Sequence, residues 1–270
     1  MPRGDPGLAR LTSWFQDYAA SFCARDPEAA PVYRMKAAHT GRVRRIARGL
    51  AAAEGISGRA VLLAETAGLL HDAGRFEQYL RYRTFRDAQS VHHGRLAVSV
   101  IRTHGLLDDF QGIERRRVLS AVAHHNEMRL HPLADPGALF LLKLLRDADK
   151  LDILAMAAAR VDGRGRHGPL ADLKVSANGS CSPAVAATIR AGRVVAIAKV
   201  RSRCDALLFF LSWVFDLNFP AATRQLLGAG WFDRLAAAVA PAGGLRPLVC
   251  KARDYAAAHA AGARAARPLV

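Results

Sequence analysis

The spacing of apolar residues constrains this chain more than any other feature. They recur three and four apart along most of its length, and no alternating run is convincing as a strand. Leu8, Leu11, Phe15, Tyr18 and Phe22 describe one face of an amphipathic helix. Asp26-Pro27 and Ala30-Pro31 are expected to break the chain. A second helix is predicted from about Met35 to Glu54, stopped by Gly55. Ser57 can cap a third, running to about Asp72 and ending at Gly74. Its Val61, Leu62, Leu63, Leu69 and Leu70 make it apolar almost all round, so it should be buried. A basic loop is expected from Arg75 to Gln89, then a helix capped by Ser90 and running to about His104. Further helices are predicted over Glu114 to Arg129 and Ala138 to Arg160.

Beyond that point the pattern thins. Val161 to Ser182 carries Gly163, Gly165, Gly168 and Gly179 and reads as a loop or linker. Helices resume near Pro183 and over Ser202 to Leu217, and the Ala- and Gly-rich tail from Pro241 reads as partly helical or frayed. The expected architecture is all-α, with no internal repeat. It comprises an N-terminal helix (1–32), a helical core (33–160) and a C-terminal helical extension (161–270) packed on that core.

Composition excludes several classes. Hydrophobic residues are 51% and charged residues 23%, which is globular rather than disordered. The formal charge is 39 − 23 = +16, nearly all of it Arg, since there are only six Lys. Arg and Ala enrichment together read as codon bias, so the charge permits an anionic partner without specifying one. The apolar run Leu207 to Phe215 lies between Asp205 and Asp216 and is too short to span a bilayer. Met1 to Arg10 holds no apolar signal core, so a cytoplasmic protein is expected. Cys23, Cys181, Cys204 and Cys250 are scattered, with no CxxC pair for a disulfide scaffold or a Cys zinc site, and a reducing cytosol fits them. Phosphate-loop, nucleophile-elbow, HExxH and dinucleotide-binding patterns are absent.

Eight of the ten His lie between His39 and His131. His39 shares a helical stripe with Val43, Ile46 and Leu50, so its imidazole faces the core and is either bonded to a backbone carbonyl or a metal ligand. His71-Asp72 closes an apolar helix; a carboxylate buried there needs a cation, whereas one at a solvated helix end does not. His93 aligns with Ala97, Val100 and His104, while His92 is rotated away. His125 shares a stripe with Val118, Ala121 and Val122, and is the better inward candidate than His124. Asp149 lies on the stripe of Leu142, Leu145, Ile153 and Met156, with Asp147 and Asp152 off it; a salt bridge to Arg is the competing use for Asp149. Several helices thus each offer an inward His or Asp. Mixed imidazole and carboxylate donors suit a transition metal of the Mn, Fe, Co, Ni or Zn group.

The order His39, His71-Asp72, Asp149 resembles the His…His-Asp…Asp signature of the HD superfamily of metal-dependent phosphohydrolases. The strings HTGRVRRIARGLA, AGLLHDAGRFEQYLRYRTFRDAQSVHHGRLAV, AVAHHNEMRL and LLRDADKLDIL are similar to that family's from about Met35 to Leu154. In the last, the resembling DADKLD segment selects Asp149 over Asp147. The resemblance implies a helical bundle in which His39, His71, Asp72 and Asp149 hold one divalent metal. His93 and His125 resemble the additional ligands of two-metal relatives. One or two ions of Mn, Fe, Ni, Co or Zn are implied, with Mg permitted. Asp72, Arg75 and Lys150 are the implied catalytic groups, the two cations serving the phosphate. Arg81, Arg83, Arg86 and Arg95 add charge in and just after the basic loop, and Arg81, Arg83 and Arg86 read as a solvated basic face. His92 departs from the pattern, since relatives carry Asp there, and the HD-GYP tripeptide is absent. LSWVFDLNF resembles an extension of bacterial members.

The expected activity is hydrolysis of a phosphate ester of a nucleotide or related small phosphorylated compound, with no membrane partner and no specific nucleic acid. Oligomer formation is left open. The alternative is a catalytically silent module that binds metal or nucleotide in a regulatory role. Specific nucleic-acid binding lacks an aromatic-interleaved basic stripe, and oxidative chemistry at a di-iron site would be separated from hydrolysis by oxygen consumption.

Overall fold

In the computed structural model, which describes residues 5–164, 173, 175–176, 180–239 and 244–262, helices carry nearly all the regular structure. Among the described residues no strand forms, and the sole bridge is an isolated parallel pairing of Ser176 with Ser202. The all-α expectation holds. Two units divide the chain, Met1–Asp149 and Lys150–Val270. The expected glycines at 165, 168 and 179, the first four residues of the N-terminal reading and the ends of the tail at 241–243 and 263–270 lie outside the described residues.

The first unit begins with α1 (Pro6–Arg25), capped by Asp5, whose Oδ1 accepts from the Leu8 amide at 3.1 Å. Its predicted face buries Leu8, Leu11, Phe15 and Phe22, while Tyr18 donates its hydroxyl to the Ala73 carbonyl at 3.3 Å. Helix α2 (Ala30–Ala53) starts five residues before the expected Met35. Pro31 lies in its first turn, where a proline's missing N–H breaks no hydrogen bond, so it opens the helix rather than ending one. Helix α3 (Arg59–Leu70) is capped by Gly58, not Ser57, and ends before the His71-Asp72 turn. It is the buried helix the sequence predicted, packed along α2.

The expected basic loop from Arg75 to Gln89 is instead mostly helix. Helix α4 (Gly74–Tyr82) follows after three residues, and Asp87–Gln89 forms a 3-10 turn. Gly74 is therefore a helix start and not a stop. A Cβ there would sit 2.5 Å from the His93 carbonyl oxygen and 2.6 Å from the Ala97 amide. Glycine is what lets α4 touch the backbone of α5 (His93–Thr103). Ser90 does not cap α5; the His92 side chain does, its Nδ1 accepting from the Arg95 amide at 3.3 Å. Gly94 makes the matching approach on the other side, 2.7 Å from the Val122 carbonyl of α6 (Gly112–His124) for an added Cβ. Helix α5 is thus pinned between α4 and α6 at its first turn. Helix α6 ends five residues before the predicted Arg129, and α7 runs Pro136–Val161.

The second unit contains helices Pro183–Arg190, Arg203–Leu211, Pro220–Gly228, Trp231–Val239 and Arg246–Ala260. Leu207, Phe210, Leu226, Phe232, Leu235 and Leu248 are buried in it. In the tail from Pro241 the helix Arg246–Ala260 admits Pro247 in its first turn, as Pro220–Gly228 admits Pro220. Asp205 is fully buried, and its carboxylate accepts from the Ser182 amide and hydroxyl and from the Arg201 amide. All four Cys are free thiols. Among the described residues no helix is long and apolar enough to cross a membrane.

Candidate metal centre

Helix α2 presents His39 inward above buried Val43, Ala47 and Leu50. Ile46 is only half-buried, so the true stripe steps through Ala47. The His71-Asp72 pair occupies the turn between α3 and α4 and is buried, at 0% and 2% exposure. His93 opens α5, His125 caps the end of α6, and Asp149 projects from α7. The fold brings these six side chains together.

Asp72 is the hub. Its Oδ2 lies 3.6 Å from His39 Nε2 and 3.6 Å from His71 Nε2. Its Oδ1 lies 3.5 Å from His93 Nε2 and 3.9 Å from His125 Nε2. One carboxylate therefore faces two imidazole pairs, one with each oxygen. Asp149 Oδ1 closes the first pair, 3.2 Å from His39 Nε2 and 3.9 Å from His71 Nε2. The second pair meets directly, with 3.1 Å between His93 Nε2 and His125 Nε2. Three donor sets result: His39, His71 and Asp72; His71, His125 and Asp149; and Asp72, His93 and His125.

The imidazoles are held from behind. His71 Nδ1 gives its hydrogen to the Gly68 carbonyl at 2.8 Å, and His125 Nδ1 does the same to Val122 at 2.8 Å. His93 Nδ1 lies 2.8 and 2.9 Å from the two oxygens of Asp87. Each Nε2 then carries a lone pair aimed into the cluster. His71 Nε2 is buried and has no hydrogen-bond partner. A buried acceptor in that state calls for a donor, a water or a cation, and a divalent metal among imidazoles and carboxylates fits it.

Electrostatics favour the same protonation pattern. Burial depresses the basicity of His71. Burial, then repulsion from Arg75, brings His93 down to about 4. Burial and the neighbouring His93 and His71 hold His125 well below its ordinary value. Burial alone would raise Asp72, but Lys36, His71, Arg75 and His93 outweigh it and hold the carboxyl well below the usual range. Burial likewise opposes ionisation of Asp149, and His39 more than compensates. Neutral imidazoles and ionised carboxylates are the ligating forms.

The pH dependence follows. A His whose folded pKa is about 4 and whose unfolded pKa is about 6.5 takes up a proton on unfolding between those values. The metal-free protein should therefore be most stable above pH 6.5 and lose up to about 3 kcal/mol from His93 as the pH falls toward 4. His71 and His125 act in the same direction. Thermal melts of the chelator-stripped protein from pH 7.5 to 4.5 check this; a melting temperature that rises on acidification contradicts it.

Three groups around the cluster had no sequence signal strong enough to single them out. Lys36, one turn before His39, places Nζ 3.0 Å from Asp72 Oδ2 and over the Phe85 ring. Asp87 braces His93 and is itself held by Gln78 Nε2 at 2.9 Å and Asn126 Nδ2 at 2.7 Å. Gln78 is fully buried and also donates to Ser90 Oγ and the Val91 carbonyl. Arg75 belongs to this frame. Its Nη1 reaches Gln78 Oε1 at 2.7 Å, the Phe85 carbonyl at 2.6 Å and Asp87 Oδ1 at 3.1 Å, with Nε 3.4 Å from Asp72 Oδ1. Asp87→Asn should weaken metal binding by about 10- to 100-fold, because His93 loses the anion that orients it. Competition with a chromophoric chelator measures this, and an unchanged affinity would remove Asp87 from the site.

Other expected positions fall elsewhere. His124 does not join the hub; its Nδ1 lies 2.6 Å from Glu127 Oε1. Lys150 Nζ pairs with Asp216 Oδ2 at 2.8 Å. Asp147 and Asp152 are buried, at 0% and 2% exposure, although the stripe placed them off the inward face. Helix α7 is covered around most of its circumference, so a single stripe understates its buried surface. Arg81 pairs with Glu77 at 3.0 Å on the surface, Arg83 pairs with Asp26, and Arg86 remains exposed.

Residues 37–154 match the family model of the HD domain. This chain carries an HD domain. The matched span runs from the residue after Lys36 to Leu154 on α7 and includes all six cluster residues. Searches of curated proteins and of solved structures gave no match. The HD domain is that of a metal-dependent phosphohydrolase superfamily, and the His and Asp groups assembled here are a candidate metal-binding cluster for it.

Proposed function

We propose that the chain is a metal-dependent phosphohydrolase that cleaves a phosphate ester of a nucleotide or a related small phosphorylated compound. The observation that carries this reading is the division of Asp72, one oxygen toward His39 and His71 and the other toward His93 and His125. His39, His71, Asp72 and Asp149 would hold one ion, and His93 and His125 a second, with Asp72 shared. Divalent ions bound there would acidify water toward neutral pH and polarise a phosphoryl oxygen.

The chain's own groups supply the rest. Lys36 brings a fixed positive charge beside Asp72, where an anionic substrate would meet it. Arg75 holds Asp87, and Asp87 holds His93, so the guanidinium positions a ligand as well as adding charge. Lys150, next to Asp149 in the chain and paired with Asp216, has further N–H donors that would turn toward a phosphate. If they do so, Lys150→Ala lowers kcat/KM for phosphorylated substrates by roughly 10-fold, about 1.4 kcal/mol. An unchanged value assigns Lys150 to the pair with Asp216 alone.

The direct test is metal content of the purified protein by mass spectrometry, then phosphate release from a nucleotide panel with added Mn. The expected result is turnover with about two transition-metal ions per chain held by the hub, counted as those lost in Asp72→Asn. A single hub ion with turnover would reduce His93 and His125 to supporting groups. No metal and no turnover after reconstitution would replace the hydrolase with a silent binding module.

A further inference from the structure

Just past the buried hub, the turn after α6 assembles a separate set of donors. His124 Nδ1 lies 2.6 Å from Glu127 Oε1, and His131 Nδ1 lies 3.0 Å from Glu127 Oε2. The two imidazoles stack almost parallel, 14° apart, with ring centres separated by 3.7 Å. Their side chains are 21% and 38% exposed and that of Glu127 is 27% exposed, so burial does not account for the stacking. One donor atom from each residue lies within 4.8 Å of the others. None of the three contributes to the hub, although His124 is the chain neighbour of His125.

We propose that His124, Glu127 and His131 form a second metal site, independent of the buried cluster, that takes one divalent ion of the zinc class at the protein surface. In the metal-free form one carboxylate accepts from two Nδ1–H groups. Exchanging those two hydrogens for a single cation keeps the three side chains together but requires the rings to turn out of their stack, because imidazole lone pairs lie in the ring planes and must converge on the ion. Metal–nitrogen and metal–oxygen bonds of about 2.0–2.2 Å put tetrahedral donors about 3.3 Å apart, wider than the 3.0 Å from His131 to Glu127 and the 2.6 Å from His124 to Glu127, so both imidazoles would move outward. Two imidazoles and a carboxylate select Zn, Co, Ni or Cu over Mg or Ca. The partial exposure leaves the fourth position to water, as in three-ligand zinc sites that keep one place open.

The backbone of the turn is braced. Arg146, itself buried, donates Nη1 to the carbonyls of His125 at 3.0 Å and Glu127 at 2.5 Å. The Glu127 amide donates to the His124 carbonyl at 3.3 Å, folding the segment back on the end of α6. An ion here would clasp the segment that carries His125 without touching the hub.

The test is zinc stoichiometry. The full chain is stripped with chelator, reloaded with zinc alone, passed through gel filtration and counted by mass spectrometry. Wild type should retain one zinc more per chain than His131→Ala, with unchanged circular dichroism. Glu127→Gln keeps the side chain's shape and removes the anionic donor, and should lose the same single ion. Asp72→Asn should keep that ion while losing metal from the hub. Cobalt loading gives an independent readout, since the visible band of a tetrahedral site should fall in both turn variants and persist in Asp72→Asn. Equal zinc counts in wild type and the turn variants overturn the site, as does a wild-type ion that washes off during gel filtration; the three side chains would then be a hydrogen-bonded triad only.

Discussion

Replacing Asp72 with asparagine should reduce metal-dependent phosphate release by at least about 10³-fold, roughly 4 kcal/mol of barrier. Both oxygens of Asp72 are in use, each toward a different imidazole pair, and an amide offers one neutral acceptor where two anionic ones stood. The variant therefore weakens both halves of the cluster at once. Its fold should survive. Lys36 loses its anionic partner, but its side chain keeps 16% exposure and can carry the ammonium toward water along its apolar stem. Phosphate release with added Mn, read beside far-ultraviolet circular dichroism, separates chemistry from folding. Wild-type turnover in this variant would sink the assignment of the hub.

Gly74→Ala should be the most damaging single methyl in the first unit. The new Cβ would meet the His93 carbonyl oxygen at 2.5 Å, the Ala97 amide at 2.6 Å and the Leu96 carbonyl carbon at 3.0 Å. All three are backbone atoms, so no side chain can swing aside and α4 must part from α5. Overpacking of this kind costs about 3 kcal/mol, or roughly 10 °C in melting temperature. Because His93 is the first residue of α5, the same displacement moves its Nε2 away from Asp72. Stability and metal affinity should fall together. A melting temperature within a degree of wild type would mean that the two helices part without cost.

Much of this was legible in the sequence. Three-and-four spacing identified α1 and α2, because each buries a continuous apolar stripe, and α7, whose buried surface is wider than its stripe; α3 was legible because it is apolar almost all round. Stripe position also pointed to His125 rather than His124, and the two residues do enter different clusters. Helix α4 was not legible. Its buried residues are Gly74, Phe76 and Gln78, so a glycine and an amide occupy places where a pattern reader looks for Leu or Val. Its Arg residues then read as a loop. Lys36 and Asp87 were missed for a related reason: a single charge on a predicted helix or loop looks solvated until the fold shows what it faces. The pairing of Lys150 with Asp216 spans sixty-odd residues, beyond anything periodicity reports.

The hub has one more property. Its ligands come from five places in the chain, the first at residue 39 and the last at residue 149, and most of the first unit lies between them. An ion held by His39 and Asp149 would act as a removable crosslink, closing a loop nearly as long as the unit itself. Unlike a disulfide, this closure would respond to the concentration of free metal. Each tenfold excess over the dissociation constant adds about 1.4 kcal/mol to resistance against unfolding. The lifetime of the folded chain against a protease would then report how much metal its surroundings hold.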